Sequence, residues 1–437
     1  MTKRSIWYGS ACLALAFAVL AVDGCSKSSS TGPGTGGAGS VITVSGRVIG
    51  QNSQPVAGVP VLITGKVSTN SDANGNFSVA SVTTPYDVSV VNATSKQALV
   101  YKGLSRTDPT LVFLGASPGT SHTGSVSGKV SGGDFTPNQG ASDLTSVVFA
   151  SPEASSGSST SINGTFGPFG LTWYGPTVTI GNIYALQVTK DANSLPVASG
   201  YKGYGVRTGI AVNDGSTLNN QFDTLQSVAT TQFTSTLTVP AGYTVSNKTL
   251  FLKPSQFALI NLLSDATPSA ALSYYTPAVS GATLLLQVTA IKGPGNGTAY
   301  YKTGVGTGAT GVIVTLPAAP DLSLPVDAAT GVDTTVTFSW TQMTGAVHLL
   351  IFNSPGNPSY IVITSGTSAT IPNLKGLGLG LPSSQTYSWQ VYGFGPLGSI
   401  DAAAGATGFL GALVSPTSLT SDGYYGISTT RHFTAAP

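Results

Sequence analysis

A tyrosine–lysine pair stands at Tyr101-Lys102, again at Tyr201-Lys202 and again at Tyr301-Lys302, a spacing of 100 residues each time. Each pair sits between two strand-like runs. Tyr86-Asp-Val88-Ser-Val90 precedes the first and Leu111-Val112-Phe113 follows it. Tyr184-Ala-Leu186-Gln-Val188 and Ile210-Ala-Val212 flank the second, Leu284-Leu-Leu286-Gln-Val288 and Val312-Ile-Val314 the third. The second and third segments also share Leu171-Thr-Trp173-Tyr174-Gly-Pro176 and Leu272-Ser-Tyr274-Tyr275-Thr-Pro277. Several matches in the same order indicate duplication. A period this long exceeds a solenoid repeat and equals one small domain, so the chain divides into consecutive small cores.

Those cores are made of strands. Only 34 of the 437 residues are charged, and Glu153 is the single glutamate. A typical soluble domain is about 25 % charged, and the good helix formers Glu, Lys and Arg are the residues in short supply. This excludes a helical bundle and disfavours a doubly wound α/β enzyme. A 41 % hydrophobic content excludes a fully disordered chain. Ile42, Val44, Gly46 and Val48 alternate with Thr43, Ser45 and Arg47 at period two, the mark of a half-buried strand. Asp72-Ala-Asn74-Gly75 supplies turn chemistry before Phe77-Ser-Val79. A net charge of +2 gives no electrostatic reason for a nucleic-acid partner.

Gly46-Arg-Val48, Val56-Ala-Gly58-Val59-Pro-Val61, Asp72-Ala-Asn-Gly75-Asn-Phe77 and Tyr86-Asp-Val88-Ser-Val90 resemble the carboxypeptidase regulatory-like domain. The resemblance covers residues 41–116. It implies a transthyretin-like β-sandwich with an accessory role and no peptidase activity. The second and third units read as lacking the Asp-x-x-Gly-x-Phe turn, so only the repeat extends the fold to 117–220 and 221–318. Residues 319–437 change style. Phe338-Ser-Trp340, His348-Leu-Leu350-Ile-Phe352 and Tyr387-Ser-Trp389-Gln-Val391 resemble a fibronectin type III domain, with Trp340 on the second strand facing Tyr387, Trp389 and Val391 on the sixth. Residues 393–427 then form a connection far longer than an ordinary hairpin, with a short helix expected in Ala402–Ala412. The expected fold class is all-β: tandem Ig-like or transthyretin-like sandwiches in a string.

The N-terminus is an address. Lys3 and Arg4 precede an apolar run from Ile6 to Val22, the layout of a secretory signal. The run ends in Val22-Asp23-Gly24-Cys25, which resembles the lipobox of bacterial lipoproteins, although Asp23 stands where that family carries a small or apolar residue. The resemblance implies removal of residues 1–24, acylation of Cys25 and, with Ser26 following, anchoring in the outer membrane, on its periplasmic or cell-surface face. Residues 25–40 read as a lipidated Gly/Ser-rich tether with a reach of about 20 Å. The other cysteine, Cys12, lies inside the signal, so the mature chain has no disulfide to draw on.

Motifs for catalysis are weak. His122, His348 and His432 fall in three different segments, and no two-histidine zinc spacing occurs. Gly115-Ala-Ser117-Pro118-Gly119 spells a nucleophile elbow, but Pro118 lacks the N–H that would serve as oxyanion donor. Gly306-Thr-Gly308-Ala-Thr-Gly311 spells a dinucleotide fingerprint and is followed by a strand instead of a helix. Asp72–Asn76 lacks the later ligands of a calcium loop. No catalytic residue, metal site or cofactor is expected. Recurring aromatics remain: Trp173, Tyr174, Tyr274 and Tyr275 are the candidate carbohydrate contacts, one of each pair belonging to the core because strand neighbours face opposite ways. Lys102, Lys202 and Lys302 are the candidates for an ionic contact. The expected protein is a non-enzymatic lipoprotein of the cell envelope, held to the membrane by its lipid, whose sandwiches act as spacer and adhesive or assembly surface. The alternative is a carbohydrate-binding lipoprotein using the repeated aromatics. The partner is accordingly another envelope protein or a polysaccharide.

Overall fold

The computed structural model describes residues 39–50, 53–114, 120–135, 140, 142–406 and 420–437. The signal segment, Cys25, most of the tether and the Gly115–Gly119 stretch lie outside them. The described chain is all-β, built of sandwiches that follow one another in sequence.

The first unit contains β1 (Val41–Ile49), β2 (Pro60–Ile63), β3 (Thr69–Asn70), β4 (Asn76–Thr83), β5 (Tyr86–Asn92), β6 (Gln97–Leu104) and β7 (Thr110–Val112). The second contains β8 (Ser121–Gly132), β9 (Asp143–Ala150), β10 (Ser155–Ser159), β11 (Thr165–Tyr174), β12 (Val178–Lys190), β13 (Pro196–Asn213) and β14 (Ser216–Leu225). The third contains β15 (Thr230–Thr238), β16 (Thr244–Ser255), β17 (Ala258–Asp265), β18 (Ala271–Pro277), β19 (Thr283–Gly293), β20 (Asn296–Gly306) and β21 (Val312–Thr315). All three share one topology. The first strand lies between the fourth, antiparallel, and the seventh, parallel; the other sheet runs three-two-five-six.

The second unit also shares the turn that its sequence was read as lacking. In the first unit Asp72 Oδ1 accepts the N–H groups of Asn74 and Asn76, both at 2.8 Å, and Gly75 O accepts from Val48 N at 2.7 Å. In the second, Ser161 replaces the aspartate. Its Oγ accepts from Thr165 N at 3.2 Å, and Gly164 O accepts from Val130 N at 2.9 Å. Gly75 and Gly164 have φ of +76° and +85°, and a Cβ at either would collide with the carbonyl of Val48 or Val130. The turn survives because a serine hydroxyl can accept the same backbone N–H.

Sequence spacing and side-chain facing part company at the Tyr-Lys pairs. All lie on the sixth strand of their unit. Tyr101 sits in a core shared with the fourth unit and Tyr201 in a core shared with the third. In the third unit it is Tyr300, opposite Val288, that packs on the core, and Tyr301 faces the other way, opposite Gln287. A one-residue slip of register reverses every side chain.

The fourth unit contains β22 (Leu322–Leu324), β23 (Ala329–Val332), β24 (Thr337–Trp340), β25 (Val347–Asn353), β26 (Ser359–Thr364), β27 (Ser368–Thr370), β28 (Thr386–Gly395), α1 (Ile400–Ala403), β29 (Gly423–Ile427) and β30 (Arg431–Ala435). Sheet β22-β24-β27 covers sheet β26-β25-β28-β30, with β23 along β30. Between them Trp340, Tyr387, Trp389 and Val391 are buried with Phe352 and Phe433, and Phe338 meets Phe352 and Trp389 edge-on at 4.7 and 5.0 Å. Helix is present at Ile400–Ala403, at the start of the expected stretch; residues 407–412 are not among those described.

The units do not form an open string. β26 pairs in parallel with β6, Ser359–Ile363 against Gln97–Tyr101, and β29 pairs antiparallel with β20, Gly423–Ile427 against Tyr301–Gly297. The fourth unit therefore lies between the first and third in one continuous sheet of 14 strands. Both faces of the β6–β26 joint are sealed. Leu99 and Tyr101 share a core with Ile361 and Ile363; Ala98 and Val100 share the other with Tyr360 and Val362.

Candidate functional site

The candidate site is the junction made by the fourth unit, and its residues come from the long β28–β30 connection. Ser399 caps α1 by accepting from Ala402 N at 3.1 Å, which fixes the helix start. Ile400, Ala403 and Ala404 bury themselves in the first unit's core. Asp401 then accepts from the backbone N–H of Ser105 at 2.8 Å and of Arg106 at 3.2 Å, while Arg106 Nη1 donates to Asp401 O at 2.8 Å. Tyr86 donates to Arg106 O at 2.7 Å. Burial, reinforced by the Asp401 charge, pushes the Tyr86 hydroxyl far above its ordinary range and keeps it a donor.

The other end of the connection grips the third unit. Asp422 accepts from Lys302 Nζ at 2.8 Å, Thr303 N at 3.0 Å and the Tyr300 hydroxyl at 3.1 Å. Burial first, then the Asp422 charge, raises the Tyr300 hydroxyl to about 12. Tyr424 stacks near Tyr300, ring centroids 6.0 Å apart, and donates to Thr344 O at 2.8 Å. Gly395 leaves room for that ring; a Cβ there would strike it. The connection is thus a two-ended clasp. Sequence reasoning missed Asp401 and Asp422, and its one available signal was the unusual length of residues 393–427.

Of the four candidate carbohydrate contacts, Trp173 and Tyr274 are core residues with no face open to a sugar, one from each pair, as expected of strand neighbours. Trp173 is fully buried, its indole N–H donating to Pro176 O at 2.8 Å. Tyr274 is buried and donates to Asp265 Oδ2 at 2.6 Å. Tyr174 and Tyr275 are half-buried against the cores of their units, and Tyr275 O accepts from the Tyr201 hydroxyl at 3.1 Å. The three lysines are also engaged: Lys102 with Asp87 at 3.2 Å, Lys202 with Asp134 at 3.9 Å and Lys302 with Asp422.

Four further chemistry-bearing side chains have partners within their own units. His348 accepts from Met343 N at 3.2 Å and meets Gly366 O at 3.0 Å. His122 lies 3.0 Å from Asp214 and 3.2 Å from Gly175 O. Glu153 accepts from Thr179 at 2.7 Å. Lys248, fully buried, lies 2.9 Å from Asp265. Burial opposes the Asp265 charge, but hydrogen bonds from Tyr274, Lys248 and Thr267 outweigh it and hold the carboxyl well below the usual range. Among the described residues no group of three or more His, Cys, Asp or Glu side chains is placed to hold a metal, and no helix is long and apolar enough to cross a membrane.

No protein-family model matches the chain, and no match to a curated protein is found. Solved structures with some similarity include the Bacillus anthracis TIE protein, 9 % identical, covering 63 % of this chain and 51 % of that one, with a TM-score of 0.15. This chain thus spans about half the length of that protein. Two B repeat units of the collagen-binding protein of Staphylococcus aureus are 11 % identical, covering 81 % of this chain and 93 % of that one, with a TM-score of 0.14. A putative polysaccharide-binding protein from Bacteroides thetaiotaomicron is 11 % identical over 38 % of this chain and 75 % of that one, with a TM-score of 0.15. These similarities are too low to transfer a ligand or a partner.

Proposed function

We propose that this chain is a non-enzymatic lipoprotein of the bacterial envelope, anchored in the outer membrane through Cys25, whose sandwiches form an adhesive or assembly surface. The first sandwich is taken as carboxypeptidase regulatory-like and the last as fibronectin type III-like. One observation carries the reading: the fourth sandwich is joined edge to edge with the first and the third. Asp401 and Asp422 reinforce those joints by fixing the fourth unit to the first and to the third. A preset multi-domain body on a tether of about 20 Å presents a constant surface to a partner, because little ordering remains to be done on binding.

The test has two parts. Cys25→Ala should move the protein out of the membrane fraction and abolish fatty-acid labelling. Protease shaving of intact cells, followed by crosslinking on the face where the protein is found, should capture an envelope partner. Unchanged membrane partition of the variant would remove the anchor from the proposal, and turnover of any substrate by the purified chain would overturn the non-enzymatic reading.

A further inference from the structure

At one end of the second sandwich three chain segments meet around His122, near the start of β8. Its ring is buried and lies 5.8 Å from that of Trp173, its cross-strand neighbour on β11. Nδ1 is 3.0 Å from Asp214 Oδ2 in the β13–β14 turn, and Nε2 is 3.2 Å from Gly175 O in the β11–β12 turn. Both oxygens are acceptors. A backbone carbonyl has no proton to give. The Asp214 carboxyl is held ionised as well, because contact with His122 first, and then the N–H of Thr123, keeps it below the usual carboxylate range. Neutral imidazole carries one N–H, so it satisfies one acceptor and turns a lone pair on the other. Turning the ring over would set C–H groups against both oxygens and forfeit both contacts. Among the described residues Asp214 is the charged group that faces the ring: β11 presents Trp173, and the turn Gly175-Pro176-Thr177 has no titratable side chain.

We infer that His122 is a proton-operated clamp: the imidazolium bridges the β11–β12 and β13–β14 turns, and loss of one proton frees the Gly175 carbonyl. The contact that survives is the one to Asp214. A bond to a carboxylate is charge-assisted and the stronger of the two. Asp214 is also anchored independently, its Oδ1 accepting from Thr123 N at 2.9 Å and its own N–H donating to Thr177 O at 2.9 Å. Gly175 lies in an exposed turn, so its carbonyl can turn to water once the ring stops donating. The next carbonyl along the chain, Pro176 O, accepts the indole N–H of Trp173 at 2.8 Å. Trp173 is fully buried, so release of the turn is felt inside the sandwich. The device sets the order of one exposed turn of the second unit by proton concentration, through a charge that needs both acceptors to be satisfied.

The experiment is a nitrogen-detected NMR titration of the mature chain across about pH 5 to 8, where histidine changes charge. On the acid side of the His122 midpoint both ring nitrogens should carry hydrogen. The Trp173 indole N–H and the Gly175 and Thr177 amide signals should move with that same midpoint, and indole exchange should be several-fold faster on the alkaline side. Asp214→Asn, in an exposed turn, should shift the midpoint to lower pH while the chain stays folded. His122→Gln should abolish the pH dependence of the Trp173 signal. If that variant does not fold, Asp214→Asn still reads the coupling. A His122 ring that keeps one charge state across the range, Trp173 and Gly175 signals that do not follow its midpoint, or a midpoint unmoved in Asp214→Asn would each overturn the clamp.

Discussion

Asp422 and Lys302 are 120 residues apart in sequence and 2.8 Å apart in space, and through them the connection inside the fourth sandwich is fastened to the edge strand of the third. Both side chains are about 30 % exposed, so the ion pair itself is screened and contributes little. The stronger part is the carboxylate accepting Thr303 N, a charge-assisted bond. Asp422→Ala should therefore cost about 1–2 kcal/mol. Amide exchange should speed up at Gly297–Thr303 and Gly423–Ile427, with β8–β14 unaffected. Unchanged protection in β20 would show that the strand pairing alone holds the joint.

Trp340→Ala removes a core aromatic and should cost about 3–5 kcal/mol, a large part of a domain's total of about 5–15 kcal/mol. On sequence grounds the loss would stop at the fourth unit. Because Ala98 and Val100 share that unit's core, protection should also fall along Gln97–Tyr101. A melting curve that stays where it was would place Trp340 outside the core.

His348 is buried, and desolvation lowers its pKa to about 4 from the ordinary value near 6.5. The folded state thus holds a neutral ring while the unfolded chain binds a proton. Its stability contribution is complete above about pH 6.5 and is lost as pH falls towards 4, about 3 kcal/mol across the window. Denaturant titrations at several pH values should show that slope for the fourth unit, and His348→Gln should flatten it. An equal slope in the variant would assign the acid sensitivity to other groups.

Gly128 lies opposite Phe166, and a Cβ there would strike both that ring and the carbonyl of Gln221. Gly128→Ala should destabilise the second unit by about 1–3 kcal/mol. The matching substitution Gly46→Ala, opposite Phe77, should do the same in the first unit. Calorimetry of the two variants should show different transitions moving; a common shift would mean that the units unfold together.

Lys248→Met leaves Asp265 buried without its cation, its carboxylate side chain only 11 % exposed. A loss of about 3–5 kcal/mol is expected. The check is the urea midpoint, with recovery in a Lys248→Met, Asp265→Leu double variant. A double variant no better than the single one would show that the Tyr274 hydrogen bond, and not the stranded charge, sets the cost.

Local chemistry was readable. The near-absence of helix formers, the period-two runs and the turn at Asp72–Gly75 determine an all-β chain, because strand and turn preferences act over a few residues. The aromatic core of Trp340, Tyr387 and Trp389 was readable too, since alternation places them on one face. The turn at Ser161–Gly164 was missed only because serine was not counted as an aspartate equivalent, although Val-Ser-Gly-Lys-Val130 repeats Val-Ser-Gly-Arg-Val48.

The joints between units were decided in three dimensions. Gln97–Tyr101 and Gly297–Tyr301 lie in regular register on their neighbours and each accepts a strand from the fourth unit. The matching stretch of the second unit does not. Between Val188 opposite Tyr201 and Lys190 opposite Pro196 the strand carries extra residues, with Ser199 at φ +55°. A bulge of this kind breaks the row of backbone groups an added strand needs. Sequence alone determined which residues make strands and which make turns. Which edge receives which strand, and whether Trp173 faces core or water, depend on register and on partners more than 100 residues away. No local preference encodes those, because backbone hydrogen bonds are alike at every strand edge until geometry permits or refuses them.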